Sequence, residues 1–275
     1  DFPFSWQDRD AIRRTLLQAY VLACQAGLDP AVISEGDDLS PYSLLLCPST
    51  QKLTTPTWLA LEAAARAGAT IYWSYFGGDH NFHQGPWCPN FAALTGCRHR
   101  LRYGCFDLPP ETVNLSGALS LSLPTRLATT PAPYPLSRVP IEVIDPAATK
   151  SLARSDEGHL ALVSHALGSG RVIFCSYPIE RYLANLPDGS SRGGHQLYAL
   201  LGEAAGLSPR YPSPHPDVQV RVLEDGADDL IVAQHRGWAE EIAPLDLGAP
   251  IFARGLTSSG ALGPKAVTLH RVRAR

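Results

Sequence analysis

The chain is 275 residues long, 45% apolar and 18% charged, and its 23 Lys and Arg against 26 Asp and Glu give a net charge of −3. A chain of this length hides about three quarters of the surface its unfolded form exposes, so its core needs no disulfide framework or structural metal. The near balance of charge excludes the basic footprint of a nucleic-acid binder, and no apolar run approaches the roughly 18 residues of a membrane span.

The 23 glycines and 24 prolines stay below the share that marks low-complexity disorder, so loops are expected to be frequent but ordered. The sequence has no methionine and is therefore expected to be a processed product or one piece of a longer polypeptide. Cys24, Cys47, Cys88, Cys97, Cys105 and Cys175 contain no C-x-x-C pair. They read as free thiols, several of them behaving as small hydrophobes, in a reducing, cytoplasmic setting.

Ser5-Trp6-Gln7-Asp8 has capping-box form, and apolar residues from Ile12 to Leu28 then recur at helical spacing up to a Gly27 stop. Pro30–Ser34 and Tyr42–Cys47 are short apolar runs of the kind found in buried parallel strands. Thr54-Thr55-Pro56 opens a helix that ends at Gly68, and Ala69–Phe76 follows as a strand. Strand, helix, strand predicts a parallel sheet.

A long loop over 77–98 carries a short helix at Asn90–Thr95, and alternation returns around Leu101–Cys105 and Leu119–Leu123. Pro124–Ser137 reads as extended, Val139–Ile144 as a strand, and Leu160–Ala166 with Arg171–Tyr177 as a hairpin around Gly168-Ser169-Gly170. Gly194–Ala205 is a helix closed by Gly206. Residues 207–217 hold four prolines and suit a stiff linker. Beyond it Val218, Val220 and Val222 alternate, Asp225-Gly226 turns, and Leu230–Ala233, Val267 and Leu269 complete an all-β module. The expected division is 1–206, 207–217 and 218–275.

In an α/β sheet ligands gather beyond the carboxyl ends of the strands, the place taken here by the loop after Phe76. Ser74 is the candidate nucleophile there, but Trp73-Ser74-Tyr75-Phe76-Gly77 has glycine on one side only. Where a cysteine amidotransferase carries its thiol this chain has Tyr75, and where the triad ends in His-Pro-x-Glu it has Tyr177-Pro178-Ile179-Glu180. A nucleophile needs a base, and a tyrosine of pKa near 10 cannot replace histidine at neutral pH. Ser74, Tyr75, Tyr177 and Glu180 therefore read as vestigial triad positions, with no catalytic residue assigned.

Asp79, His80, His83 and Cys88, with Cys97, His99 and Cys105 nearby, match no tight zinc spacing, so no metal or other cofactor is expected. Asp79, His80, His83 and Trp87, together with Phe82, suit a sugar ring or a subunit contact instead. The adjacent acidic pairs Asp37-Asp38, Asp156-Glu157, Asp228-Asp229 and Glu240-Glu241 lie in polar or turn contexts and read as solvated rather than as glycosidase acids.

Tyr42–Pro48, Lys52-Leu53-Thr54, the helix ending Ala67-Gly68-Ala69-Thr70, and Ile71–Gly78 together resemble the β-galactosidase trimerisation domain. The segment Gly158–Glu180 looks like that domain's closing hairpin and degenerate triad end. The resemblance implies a degenerate class I amidotransferase-like, flavodoxin-like parallel sheet followed by a small β-sandwich. In glycoside hydrolases of family 42 and some family 5-like enzymes this region follows a catalytic (β/α)8 barrel.

It further implies a non-catalytic piece of an enzyme cleaving β-linked sugars, β-galactosidase- or β-mannosidase-like, with the barrel and further copies in a homotrimer as partners. The family's domain opens with a strand before the first helix, and this chain starts almost at the helix. Two rival readings are a free-standing hydrolase or amidotransferase using Ser74 or a nearby cysteine, and a carbohydrate-binding module built on Phe82, Trp87 and Trp238.

Overall fold

The structure is a computed structural model that describes residues 6–50, 53–74, 88–99, 111–114, 125–127, 139–155, 157–213, 215–237, 241–243 and 245–273. The chain divides into two compact units, one of Asp1–Tyr20 with Val32–Gly206, the other of Val21–Ala31 with Leu207–Arg275. Helix α1 (Trp6–Gln25) crosses that division.

The first unit is built on a seven-stranded sheet. Its elements are β1 (Leu44–Cys47), α2 (Thr55–Ala67), β2 (Thr70–Ser74), α3 (Phe91–Thr95), β3 (Cys97–His99), β4 (Glu111–Asn114), β5 (Thr125–Leu127), β6 (Ile141–Val143), β7 (Thr149–Ser155), β8 (Leu160–Leu167), β9 (Gly170–Cys175), α4 (Ile179–Leu183) and α5 (Gly194–Ala204). Strand order is β1-β2-β9-β8-β7-β4-β5, with β3 and β6 forming a separate antiparallel pair. Only β1, β2 and β9 run parallel, in the registers Leu45↔Ile71 and Ile71↔Val172. From β8 onward the pairing is antiparallel, so the sheet is mixed rather than parallel throughout.

Strand β2 shows why its sequence sits at the centre. All five of its residues are buried, as expected for a strand covered on both faces. Ile71 and Trp73 point one way, Thr70, Tyr72 and Ser74 the other. Trp73 meets Trp58 of α2 at 4.6 Å and Phe91 and Phe174 edge-on at 5.6 and 5.0 Å. On the opposite face Tyr72 meets Tyr198 of α5 at 5.9 Å.

The β8–β9 hairpin turns through Gly168, whose φ is +62°. A Cβ there would lie 2.4 Å from the Arg66 carbonyl oxygen, so only glycine lets the turn press onto the end of α2.

Three expectations change. Pro30–Ser34 forms no strand: Val32 is 85% exposed, and among the described residues the stretch joins no ladder. An apolar run becomes a strand only when a neighbour supplies its hydrogen bonds. Thr54 precedes α2 as expected, but its side chain makes no cap; its Oγ donates instead to Glu35 Oε2 at 2.6 Å. The alternations around Leu101–Cys105 and Leu119–Leu123 lie outside the described residues, whereas Thr125–Leu127, read as extended, is strand β5.

The second unit is a four-stranded antiparallel sheet of β10 (Val218–Asp225), β11 (Asp228–His235), β12 (Phe252–Leu256) and β13 (Leu262–Arg273), ordered β10-β11-β13-β12. Val218, Ala233, Ile242, Leu245, Leu262 and Ala266 form its core. The Pro-rich stretch 207–217 reads as a linker in sequence, yet Tyr211 within it is buried and donates to Asp229 Oδ2 at 2.8 Å. Arg210 joins the same carboxylate at 3.0 Å. Asp229, expected to be a solvated turn residue, is 1% exposed because these two groups replace its water.

Candidate functional site

Four segments of the first unit converge beyond the carboxyl ends of β1, β2 and β9. The chain leaves β1 through Ser49, whose φ of +45° is in the left-handed region that disfavours a side chain. That conformation is held by its hydrogen bonds. Ser49 N donates to Ser74 Oγ at 2.6 Å, and Thr50 N donates to the Ser74 carbonyl at 2.9 Å. Trp73 Nε1 closes the stitch by donating to the Thr50 carbonyl at 2.9 Å.

At the centre is Glu180, fully buried in the short helix α4. Its Oε1 accepts from Tyr72 Oη at 2.8 Å and Tyr198 Oη at 3.0 Å. Its Oε2 accepts from Ser49 Oγ at 3.1 Å and from Ser74 Oγ in a short bond. Each carboxylate oxygen thus takes two hydroxyl donors. The two serine oxygens in turn accept backbone N–H groups, Ser49 N on Ser74 Oγ and Arg181 N on Ser49 Oγ at 3.2 Å. A buried carboxylate without such partners would be strongly destabilising. Burial, and after it the negative charge of Glu180, pushes the Tyr72 and Tyr198 hydroxyls well above the usual phenol range, so both remain donors.

The structure brings Ser74 and Glu180 into direct hydrogen-bond contact, without the intervening base that a triad needs. A serine nucleophile must surrender its proton to a base and meet a substrate. Ser74 is fully buried, and its proton is held by a carboxylate whose other acceptor positions are already taken. Tyr177 is buried just after β9 and brings no imidazole.

The cysteines fare no better as nucleophiles. Burial raises Cys47 and Cys88 to about 12 and Cys97 to about 11, and lifts Cys175 further, so all four are thiols at neutral pH. Among the described residues Cys24, Cys47, Cys88, Cys97 and Cys175 are all buried.

Tyr75, Asp79, His80, Phe82, His83, Trp87, Cys105 and Trp238 lie outside the described residues. Among the described residues no three His, Cys, Asp or Glu side chains gather as a metal group. Asp37 and Asp38 serve turns, accepting from Ser34 N at 2.7 Å and Ser40 N at 2.9 Å.

Sequence reasoning missed Ser49, Tyr72 and Tyr198. The one signal available was the polar set Thr70, Tyr72 and Ser74 on alternate positions of an otherwise apolar strand, which marks a second face with its own chemistry.

Residues 7–208 match the family described as the β-galactosidase trimerisation domain. The chain belongs to this family.

Solved structures of similar fold include a GH42 β-galactosidase from G. stearothermophilus, at 17% identity and a TM-score of 0.65, matching 100% of this chain and 38% of that one. A β-galactosidase from Bacillus circulans sp. alkalophilus follows at 16% and 0.61, matching 94% and 37%. An α-L-fucosidase isoenzyme from Paenibacillus thiaminolyticus stands at 12% and 0.62, matching 95% and 45%. The chain thus spans less than half the length of each. At such identities the likeness is one of fold. No curated protein matches the sequence. Among the described residues no helix is long and apolar enough to cross a membrane.

Proposed function

We propose that this chain is the non-catalytic accessory and oligomerisation region of a glycoside hydrolase that cleaves β-linked sugars, β-galactosidase- or β-mannosidase-like. Its chemistry is carried by a (β/α)8 barrel elsewhere in the same polypeptide, and further copies of the chain complete a homotrimer. The observation that carries this reading is the closed Glu180 cluster: the carboxylate at the closing position of the triad is engaged by four hydroxyls and by no imidazole. The family membership supports the same conclusion.

In this reading residues 1–206 are a flavodoxin-like, degenerate class I amidotransferase-like domain, joined through 207–217 to a small module of β-sandwich type over 218–275. The loop bearing Asp79, His80, His83 and Trp87 contributes subunit or sugar contacts. The buried thiols of Cys47, Cys88, Cys97 and Cys175 are compatible with a reducing, cytoplasmic setting.

The test compares the intact protein with residues 1–275 alone, using nitrophenyl β-galactoside and β-mannoside turnover and light-scattering mass. The intact protein is expected to be a trimer that turns over one of these sugars, and the segment alone to be inactive. Turnover by residues 1–275 at the intact rate would overturn the reading. Labelling of Ser74 by a fluorophosphonate would revive the free-standing hydrolase.

A further inference from the structure

The four-stranded sheet of the second unit turns one face to its core, and the ladder registers define what stands on the other. Residues paired directly across an antiparallel ladder share a face. One row across the strands is Arg221, Val232, Leu269 and Phe252, and the rows beside it are Leu223, Leu230 and Arg271, and Gln219, Gln234, Val267 and Arg254. Arg273 stands opposite Asp228 at one end. The centre is half-buried Leu230, Val232, Val267 and Leu269, with Leu223 and Phe252 57 and 53% exposed. Exposed Arg221, Arg254, Arg271 and Arg273 border it, and among the described residues Asp228 is the one acid on this face.

An apolar centre with an arginine border and an exposed phenylalanine has the composition of a protein interface rather than of a solvated face. Four strands of up to about eight residues make a face on the order of 500 Å². That is below the roughly 800 Å² per partner of a free-standing complex, so the face suits a contact that reinforces an assembly held elsewhere.

A complementary surface lies early in the chain. From Thr15 to Gln51 the sequence has no Lys, Arg or His, and its acids are Asp29, Glu35, Asp37 and Asp38. All four are exposed, and they flank Val32, which is 85% exposed. The loop is shaped before any partner arrives. Asp37 Oδ2 accepts from Ser34 N at 2.7 Å, Asp38 Oδ1 from Ser40 N at 2.9 Å, and Glu35 Oε2 from Thr54 N at 2.7 Å. Such preorganisation lowers the entropy lost on binding.

Within one chain both surfaces stay exposed, and two copies of the arginine face would repel each other. A head-to-tail contact, in which one copy gives the face and the next gives the loop, satisfies both and can close a ring. We propose that the arginine-bordered face docks the acidic 29–38 loop of a second copy of this chain, with Val32 on its apolar centre. The inference rests on the reading that copies of the chain assemble, and it adds a contact whose accepting face lies outside the matched residues 7–208.

The test uses the intact protein and follows light-scattering mass on dilution. Arg221→Glu with Arg254→Glu is expected to move dissociation to on the order of tenfold higher concentration. Arg221→Lys with Arg254→Lys, which keeps the charge, should hold the wild-type midpoint. Adding Asp29→Arg to the glutamate variant should recover part of the loss, because opposite charges then meet again between copies. An unmoved midpoint in the glutamate variant would overturn the contact. A loss that Asp29→Arg leaves unrecovered would overturn the loop as the occupant. Wild-type binding to phosphatidylglycerol vesicles that the glutamate variant loses would overturn it in favour of a lipid surface. A wild type that is monomeric at every concentration would sink the assembly reading itself, whereas a trimer with unmoved variants sinks this contact alone.

Discussion

Glu180 in the first unit and Asp229 in the second are both buried carboxylates, and their surroundings satisfy them by different means. Glu180 is held by four uncharged hydroxyls drawn from the β1 exit loop, β2 and α5. Asp229 is held by the Tyr211 hydroxyl and the guanidinium of Arg210, a side chain that remains 38% exposed. The hydroxyl solution requires several segments to converge and leaves the carboxylate wholly buried. The ionic solution needs two neighbours in sequence and tolerates water on one side. The first ties distant parts of a sheet together, whereas the second fastens one strand to the segment entering the module.

The sharpest way to break this comparison is Glu180→Ala, which strands hydroxyls in a dry site. It is expected to lower unfolding stability by about 4 kcal/mol, read from urea midpoints, because each buried polar group left unsatisfied costs about 1–3 kcal/mol. A loss below about 1 kcal/mol would show the cluster to be wet or loose. Asp229→Ala is expected to cost about 2 kcal/mol, less than a fully buried ion pair because Arg210 can turn to solvent. Tyr72→Phe and Tyr198→Phe each remove one bond to the same oxygen and should cost about 1 kcal/mol apiece. Their double variant should depart from additivity, since the two share a partner.

Salt and alkali sharpen the contrast further. Raising ionic strength from about 0.1 to 1 M shortens the screening length from about 10 to 3 Å. It should therefore diminish the Asp229→Ala effect and leave the Glu180→Ala effect unchanged. The alkaline arm follows from the raised Tyr72 and Tyr198 values. A tyrosine that holds its proton more tightly when folded contributes stability that is full below the unfolded value near 10 and is lost as pH rises above it. Unfolding between about pH 10 and 11 should steepen in the wild type and flatten in Tyr72→Phe.

What the sequence made legible followed local pattern. Strand β2 was readable because five consecutive buried residues with β-forming side chains leave little alternative. The β8–β9 hairpin was readable because its turn chemistry is glycine-bound. Ser74 and Glu180 were readable as a pair, since a strand-end serine and a Pro-x-Glu step occupy recognisable places.

The hydroxyls of Tyr72 and Tyr198 were not readable, because a tyrosine in an apolar pattern presents its ring to the pattern and hides its polar tip. Asp229 was misread because its partners, although only about twenty residues away, sit in a stretch whose prolines imply the absence of packing. Pro30–Ser34 was misread for the opposite reason, since strand identity depends on a neighbour that local pattern does not supply.

The paired indoles of Trp58 and Trp73 carry an optical consequence. Their rings sit 4.6 Å apart at a 43° tilt, both almost wholly buried and bordered by Phe91 and Phe174. Two such chromophores at fixed distance and angle couple their transitions, producing a near-ultraviolet dichroic signal that vanishes when the packing loosens even if the helices persist. This pair lies within one unit, so the protein carries a built-in reporter for the melting of its larger sheet, readable without any label.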